Sequence, residues 1–196
     1  MSTSIIIGAI VAVIAVAALT MGAVVLMRRR ELRHRFGAEY DRVAGESDSK
    51  LKADAELKER ERRVRELGIR PLTDSARGDY AAQWADIQEN FVDTPADAVA
   101  ASQVLVIAVM NERGYPTEHP DQVIADLSVE YASSLERYRA AERISESAVS
   151  GTASTEDLRL AMIDYRALFR DLLGEHDPLF AAEAMAAVSN HAASAE

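Results

Sequence analysis

The sequence contains no cysteine. That absence removes disulfides, thiolate metal sites, thiol nucleophiles and CxxC redox pairs, and it selects no compartment. Lysine is scarce: of 22 basic residues only 3 are Lys, and the rest are Arg. Aromatic residues make up 6% of the chain and fall on helical faces, which argues against a base-stacking platform. The formal charge of −10 argues against a chain that coats nucleic acid. No stretch alternates apolar and polar residues with period two, so no sheet is expected. No repeat of 20–50 residues is evident.

Motifs that carry chemistry are missing as well. There is no GxxxxGK[ST], no GxGxxG and no HExxH, hence no phosphate cradle and no zinc-protease helix. GxSxG is absent, which removes a nucleophile elbow. The four histidines are His34, His119, His176 and His191, and none has a ligand-type partner in a zinc pattern. His176 lies between Glu175 and Asp177 and reads as part of a solvated turn. Asp126, Glu130 and Glu136 near one turn, and Asp164 beside Tyr165 and Arg166, read as ordinary polar faces. The reading assigns no catalytic, cofactor-binding or metal residue, and the chain is read as not an enzyme.

What is present is a charge-free start. Residues 1–4 precede the run Ile5 to Met27, which has no ionisable side chain and Thr20 as its only hydroxyl. A helix of these 23 residues covers about 34 Å, against a hydrocarbon core of about 30 Å. A retained transmembrane helix over 5–27 is expected. A cleaved signal is disfavoured because the run is long and no basic residue precedes it. Arg28, Arg29, Arg30, Arg33 and Arg35 follow the run at once. Basic residues beside a span stay on the cytoplasmic side. The expectation is a single-pass protein of the cell membrane, with residues 1–4 outside and 28–196 in the cytoplasm. These five Arg are also the expected contacts with anionic headgroups, worth about 1 kcal/mol each near the surface. From Phe36 onward the chain has 17 basic and 31 acidic residues, so the same membrane would repel it.

The remainder reads as helices. Residues 28–49 form a basic collar and juxtamembrane link, in which Gly37 ends the anchor helix and Phe36, Tyr40 and Val43 suit headgroup level. Gly45 to Ser49 is a break. Residues 50–68 are a charged spacer helix closed by Gly68, with Glu56–Arg60, Glu59–Arg63 and Glu61–Arg65 at i,i+4. Leu57 and Val64 are too few for a coiled coil. After Ile69-Arg70-Pro71-Leu72, a bundle of four or five helices is expected over 74–174. Its marks are the stripe Tyr80, Trp84, Ile87 and Phe91, a start at Thr94-Pro95, and the run Val104 to Met110. That run is apolar on every face and reads as the central helix. Gly114 ends it, and His119-Pro120-Asp121 opens a short helix to about Leu127. Ser133 with Glu136 has capping-box spacing, as does Ser154 with Asp157. The helix after Ser154 buries Leu158, Ala161, Met162, Tyr165, Leu168, Phe169, Leu172 and Leu173, and ends at Gly174. Residues 175–196 are an Ala-rich tail with a short helix expected near Leu179 to Val188.

The string of features resembles a group of small single-pass membrane proteins of unassigned function in actinobacterial genomes. Arg35-Phe36-Gly37-Ala38-Glu39-Tyr40-Asp41-Arg42, Ile69-Arg70-Pro71-Leu72, Phe91-Val92-Asp93, Arg113-Gly114-Tyr115-Pro116 and Tyr165-Arg166 carry the resemblance over about 28–173. The resemblance implies the architecture and brings no activity or site residue. The fold expected is all-α: one transmembrane helix, a charged spacer helix and a small bundle. The function expected is that of a membrane-anchored interaction or scaffold protein, its partners the bilayer and an unidentified protein, with no nucleic acid and no cofactor. A binder of a small apolar ligand would instead open a cavity among Trp84, Phe91, Val106, Met110 and Phe169. An enzyme without recognisable motifs is the third reading. Oligomeric state is left open: Gly8 and Gly22 do not form GxxxG.

Overall fold

The computed structural model describes the backbone of residues 3–174 and the side chains from residue 13 to 174. Among the described residues every regular element is helical: α1 (Thr3–Phe36), α2 (Ala38–Glu46), α3 (Lys50–Leu67), α4 (Asp74–Asn90), α5 (Pro95–Arg113), α6 (Pro120–Leu127), α7 (Ala132–Val149) and α8 (Thr155–Leu173). The all-α class read from the sequence holds. The chain divides into two compact units, Met1–Lys58 and Glu59–Glu196, and the division falls inside α3. The tail 175–196, with His176, His191 and the helix expected at Leu179 to Val188, lies outside the described residues.

In the first unit α1 runs unbroken for 34 residues, about 51 Å. From Val13 to Met27 its side chains are exposed all round apart from half-buried Val25; Leu19 is 73% exposed. This described part of the apolar run is shorter than the roughly 20 residues a crossing needs. No helix is long and apolar enough to cross a membrane among the described residues. The expected span 5–27 falls partly on 5–12, whose side chains are outside that set.

Gly37 has φ +51°, a conformation that favours glycine, and its N–H donates to Arg33 O at 2.9 Å. It ends α1 as expected, and α2 packs against α1. Phe36, Tyr40 and Val43 do not sit at an outer surface: all three are buried. Tyr40 and Val43, three apart, share one side of α2, which has no other apolar face to hide, and Phe36 ends the helix against which α2 packs.

Helix α3 also departs from a fully solvated rod. Ala53, Leu57, Arg60 and Val64 are buried, at spacings of four, three and four. The stripe is narrow because charged residues fill the rest of the helix.

In the second unit α8 packs against α5 and α7, and α4 packs against α5. The five helices α4–α8 enclose one core, with Val106, Met110, Leu135, Tyr165 and Leu168 fully buried. The eight apolar positions expected along α8 are all buried. Trp84 stacks on Phe169 at 4.7 Å and 25°, and Tyr138 meets Tyr165 edge-on at 5.7 Å. Burial holds the Tyr165 hydroxyl up at about 12, and it shares a 2.8 Å hydrogen bond with Ser145.

Helix ends follow their caps with two exceptions. Thr73 accepts from Ala76 N, and Ser154 with Asp157 forms a complete capping box. Gly114 and Gly174 close α5 and α8 at positive φ. Thr94 precedes Pro95 as expected, but its hydroxyl donates back to Asn90 O. Ser133 and Glu136 do not make a capping box. The N–H groups of Ser128, Glu130 and Tyr131 still bond to carbonyls of α6, so α7 starts directly at Ala132 and Ser133 is already helical. Helix α5 is central, yet Val104 is 67% exposed and Ile107 is partly so. The neighbours α4, α7 and α8 cover less than its full circumference, and apolar residues on every side are more than the bundle needs.

Candidate functional site

Among the described residues each unit holds a cleft with a basic lining. In the first unit it is about 360 Å³ and is lined by Leu26, Arg29, Arg30, Arg33, Tyr40 and Asp41, among others. Three of the five Arg expected to touch headgroups are therefore brought together here. Two are engaged within the protein. Arg29 donates to Asp54 at 3.1 Å, and Arg33 donates to Asp41 at 3.0 Å while its guanidinium lies 5.6 Å from the Tyr40 ring centroid. Tyr40 donates to the other oxygen of Asp54 at 3.0 Å, so one carboxylate joins α1, α2 and α3. Burial, and then the Asp54 carboxylate, push the Tyr40 hydroxyl above its ordinary value. Arg28, Arg30 and Arg35 are exposed. Glu39 is buried beneath Arg42, which donates to both its oxygens at 2.6 and 3.0 Å.

The second cleft, about 800 Å³, lies within the second unit between the link before α4 and the ends of α4, α5, α7 and α8. Arg77, Arg113, Arg137 and Arg170 line it, one from each of those helices. The region 74–174 contains eight Arg, no Lys and eighteen acidic residues. Half of its cations thus face a cleft that only two of its acids, Glu130 and Asp171, share. Arg113 is held hardest. It donates to Leu172 O at 3.0 Å, to Arg70 O at 3.3 Å and to the Tyr131 hydroxyl, with its guanidinium 5.6 Å from that ring centroid. Burial pushes the Tyr131 hydroxyl up, and Arg113 opposes the shift. Ser134 donates to Asp171, and Arg77 pairs with Asp74. Arg137 and Arg170 are exposed.

Two sequence strings noticed for their distinctiveness meet beside this cleft. Arg70 N–H donates to Arg113 O at 3.0 Å, and Arg70 Nε donates to Glu112 O at 3.1 Å. Leu72 and Tyr115 are buried. Burial above all raises the Tyr115 hydroxyl, which points to Glu130 at 3.4 Å.

A buried ion pair escaped sequence reading. Asp126 is fully buried, not a surface acid, and accepts from Arg63 Nε at 2.7 Å and Gln122 Nε2 at 2.9 Å. Nearby Arg60 donates to Ser128 Oγ at 3.3 Å. The signal available was Arg60 falling on the buried stripe of Leu57 and Val64 on α3 with Arg63 beside it, but nothing in the sequence links Arg63 to a residue 63 positions away. Glu142 is half-buried, and burial raises its carboxyl, with the hydrogen bond from Tyr138 opposing. Asp164 is raised by burial and lowered by Arg137.

Trp84, Val106, Met110 and Phe169 fill the core, and Phe91 packs against it. They line neither cleft. No group of three or more potential metal ligands occurs among the described residues. No protein-family model, curated protein or solved structure matches the chain significantly.

Proposed function

We propose that this chain is a membrane-anchored interaction protein: a single amino-terminal transmembrane helix carries a helical domain that docks a protein partner on the cytoplasmic face. The observation that carries the reading is the charge-free run 5–27 flowing directly into Arg28, Arg29, Arg30, Arg33 and Arg35. Support comes from the side chains of Val13 to Met27, which are apolar and exposed around a continuous helix. Such a surface is unfavourable in water at about 25 cal/mol per Å² and favourable in hydrocarbon. Arg28 and Arg30 are the collar residues offered to anionic headgroups, while Arg29 and Arg33 stiffen the turn that follows. Anchoring raises the local concentration of the domain at the surface without any new contact.

The absence of cysteine makes the test direct. Single cysteines are introduced at Ser4 and at Ser150 in whole cells, and a membrane-impermeant maleimide is added. Labelling at Ser4→Cys in intact cells, and at Ser150→Cys only after lysis, is the expected result. Labelling at Ser150→Cys in intact cells, with Ser4→Cys labelled only after lysis, reverses the orientation. Extraction of the chain from membranes by alkaline carbonate removes the anchor reading.

A further inference from the structure

We propose that the arginine cleft of the second unit is a docking site for an acidic peptide segment of a partner protein. The proposal rests on the interaction-domain half of the function above and not on the anchor half.

Arg113 and Arg170 sit in the last turns of α5 and α8, where a helix end favours positive charge. Their presence there has a local cause. Arg77 has one too, its pair with Asp74 one turn before it on α4. Arg137 has none: it is far from the carboxyl end of α7, and no acid lies three or four residues from it on that helix. Both line the same cleft. The first turn of α7 adds to the positive potential. Tyr131 supplies no side-chain cap to it, and Tyr131, Ser133 and Ser134 line the cleft.

The cleft's chemistry selects the occupant. All four cations are Arg, whose planar fork takes a carboxylate by two parallel hydrogen bonds. At about 800 Å³ the space exceeds what one small anion fills, and apolar Leu72 and Ala167 flank it. A peptide that offers two or more carboxylates on a partly apolar backbone matches that lining. The rest of 74–174 is acidic and repels such a peptide, so the cleft would also orient the approach.

The test uses the full chain in detergent micelles and a fluorescein-labelled hexaglutamate peptide, read by anisotropy. Binding is expected to weaken about tenfold or more in Arg137→Glu/Arg170→Glu. The control is Arg143→Glu/Arg166→Glu, which changes the net charge equally on the same two helices outside the cleft. It should stay within about twofold of the parent. Circular dichroism establishes that both variants are folded, and Arg137→Gln/Arg170→Gln should weaken binding by an intermediate factor. Three results overturn the proposal: no binding to the parent chain, equal losses in the two Glu variants, or displacement by inorganic pyrophosphate as effective as by unlabelled peptide. Because the assay needs no bilayer, its failure is distinct from failure of the anchor reading.

Discussion

Helices α1 and α8 treat apolar side chains in opposite ways. Among the described residues of Glu59–Glu196 most large apolar side chains are gathered into one core, and α8 hides all eight of its apolar stripe positions. In Met1–Lys58 the most apolar helix turns Val13, Ile14, Leu19 and Met27 outward, while Arg29 and Tyr40 tie α1 and α2 to Asp54 of α3. Hydrophobicity therefore indicates burial along α8 and exposure along α1 from Val13 to Met27. What decides between them is periodicity. A helix with a polar side has somewhere to put its apolar side, whereas a helix apolar all round must be enclosed by neighbours, as most of α5 is, or meet a different surrounding phase.

The strongest way to break this contrast is a cavity on each side of it. Phe169→Ala removes a buried ring stacked on Trp84 and should cost about 3–5 kcal/mol, seen as a large drop in the denaturant midpoint. Leu19→Ala should leave the same transition within about 0.5 kcal/mol. A comparable loss at Leu19 would mean that α1 is packed like a core helix.

Next in size is the pair that sequence reading missed. Arg63→Ala leaves the Asp126 carboxylate buried beside Gln122 alone and should cost about 3 kcal/mol. Adding Asp126→Asn should recover much of it in a double-mutant cycle, since a neutral amide tolerates that site better. By contrast Arg33→Ala breaks an exposed pair with Asp41 and should cost about 0.5 kcal/mol or less.

A smaller effect is expected at a helix end. Ser154→Ala removes the side-chain acceptor for the Asp157 N–H and should lower stability by about 1 kcal/mol. Ser133→Ala, once expected to be its counterpart on α7, should be close to neutral because Ser133 caps nothing.

The smallest effect is in pH dependence. Burial raises the Glu142 carboxyl, so the native state holds its proton more tightly than the unfolded chain. The stabilising contribution is present below the ordinary carboxylate range and is lost as pH rises through the raised native value. Glu142→Gln should therefore narrow the gain in Tm between pH 7 and pH 5 by about 1–2 °C relative to the parent.

Most helix boundaries were legible because local chemistry fixed them. Gly37, Gly114 and Gly174 each close a helix at positive φ, and Ser154 opens α8 as its spacing with Asp157 announced. Core positions on α4 and α8 were legible from period 3.6. Two kinds of information were not. The Ser133–Glu136 spacing is common, and only the continuing turn from α6 shows why it does not cap. The arginine cleft combines positions 77, 113, 137 and 170, whose convergence is tertiary and leaves no mark in any short window. Likewise Phe36, Tyr40 and Val43 have the composition of a headgroup belt, and their burial follows from α2 packing on α1.

The clasp between Arg70 and the end of α5 has a mechanical consequence. Three hydrogen bonds join Arg70 to Glu112 and Arg113, and Arg113 also grips the Leu172 carbonyl near the end of α8. Tension drawn along the chain from its amino-terminal side meets Arg60–Ser128 and Arg63–Asp126 first, and then loads those bonds together before it can reach the first turn of α4. The strap Ile69–Leu72 is thus a second strain relief for the bundle: what passes α3 is absorbed at the clasp, and the core of α5 and α8 stays closed until it gives way.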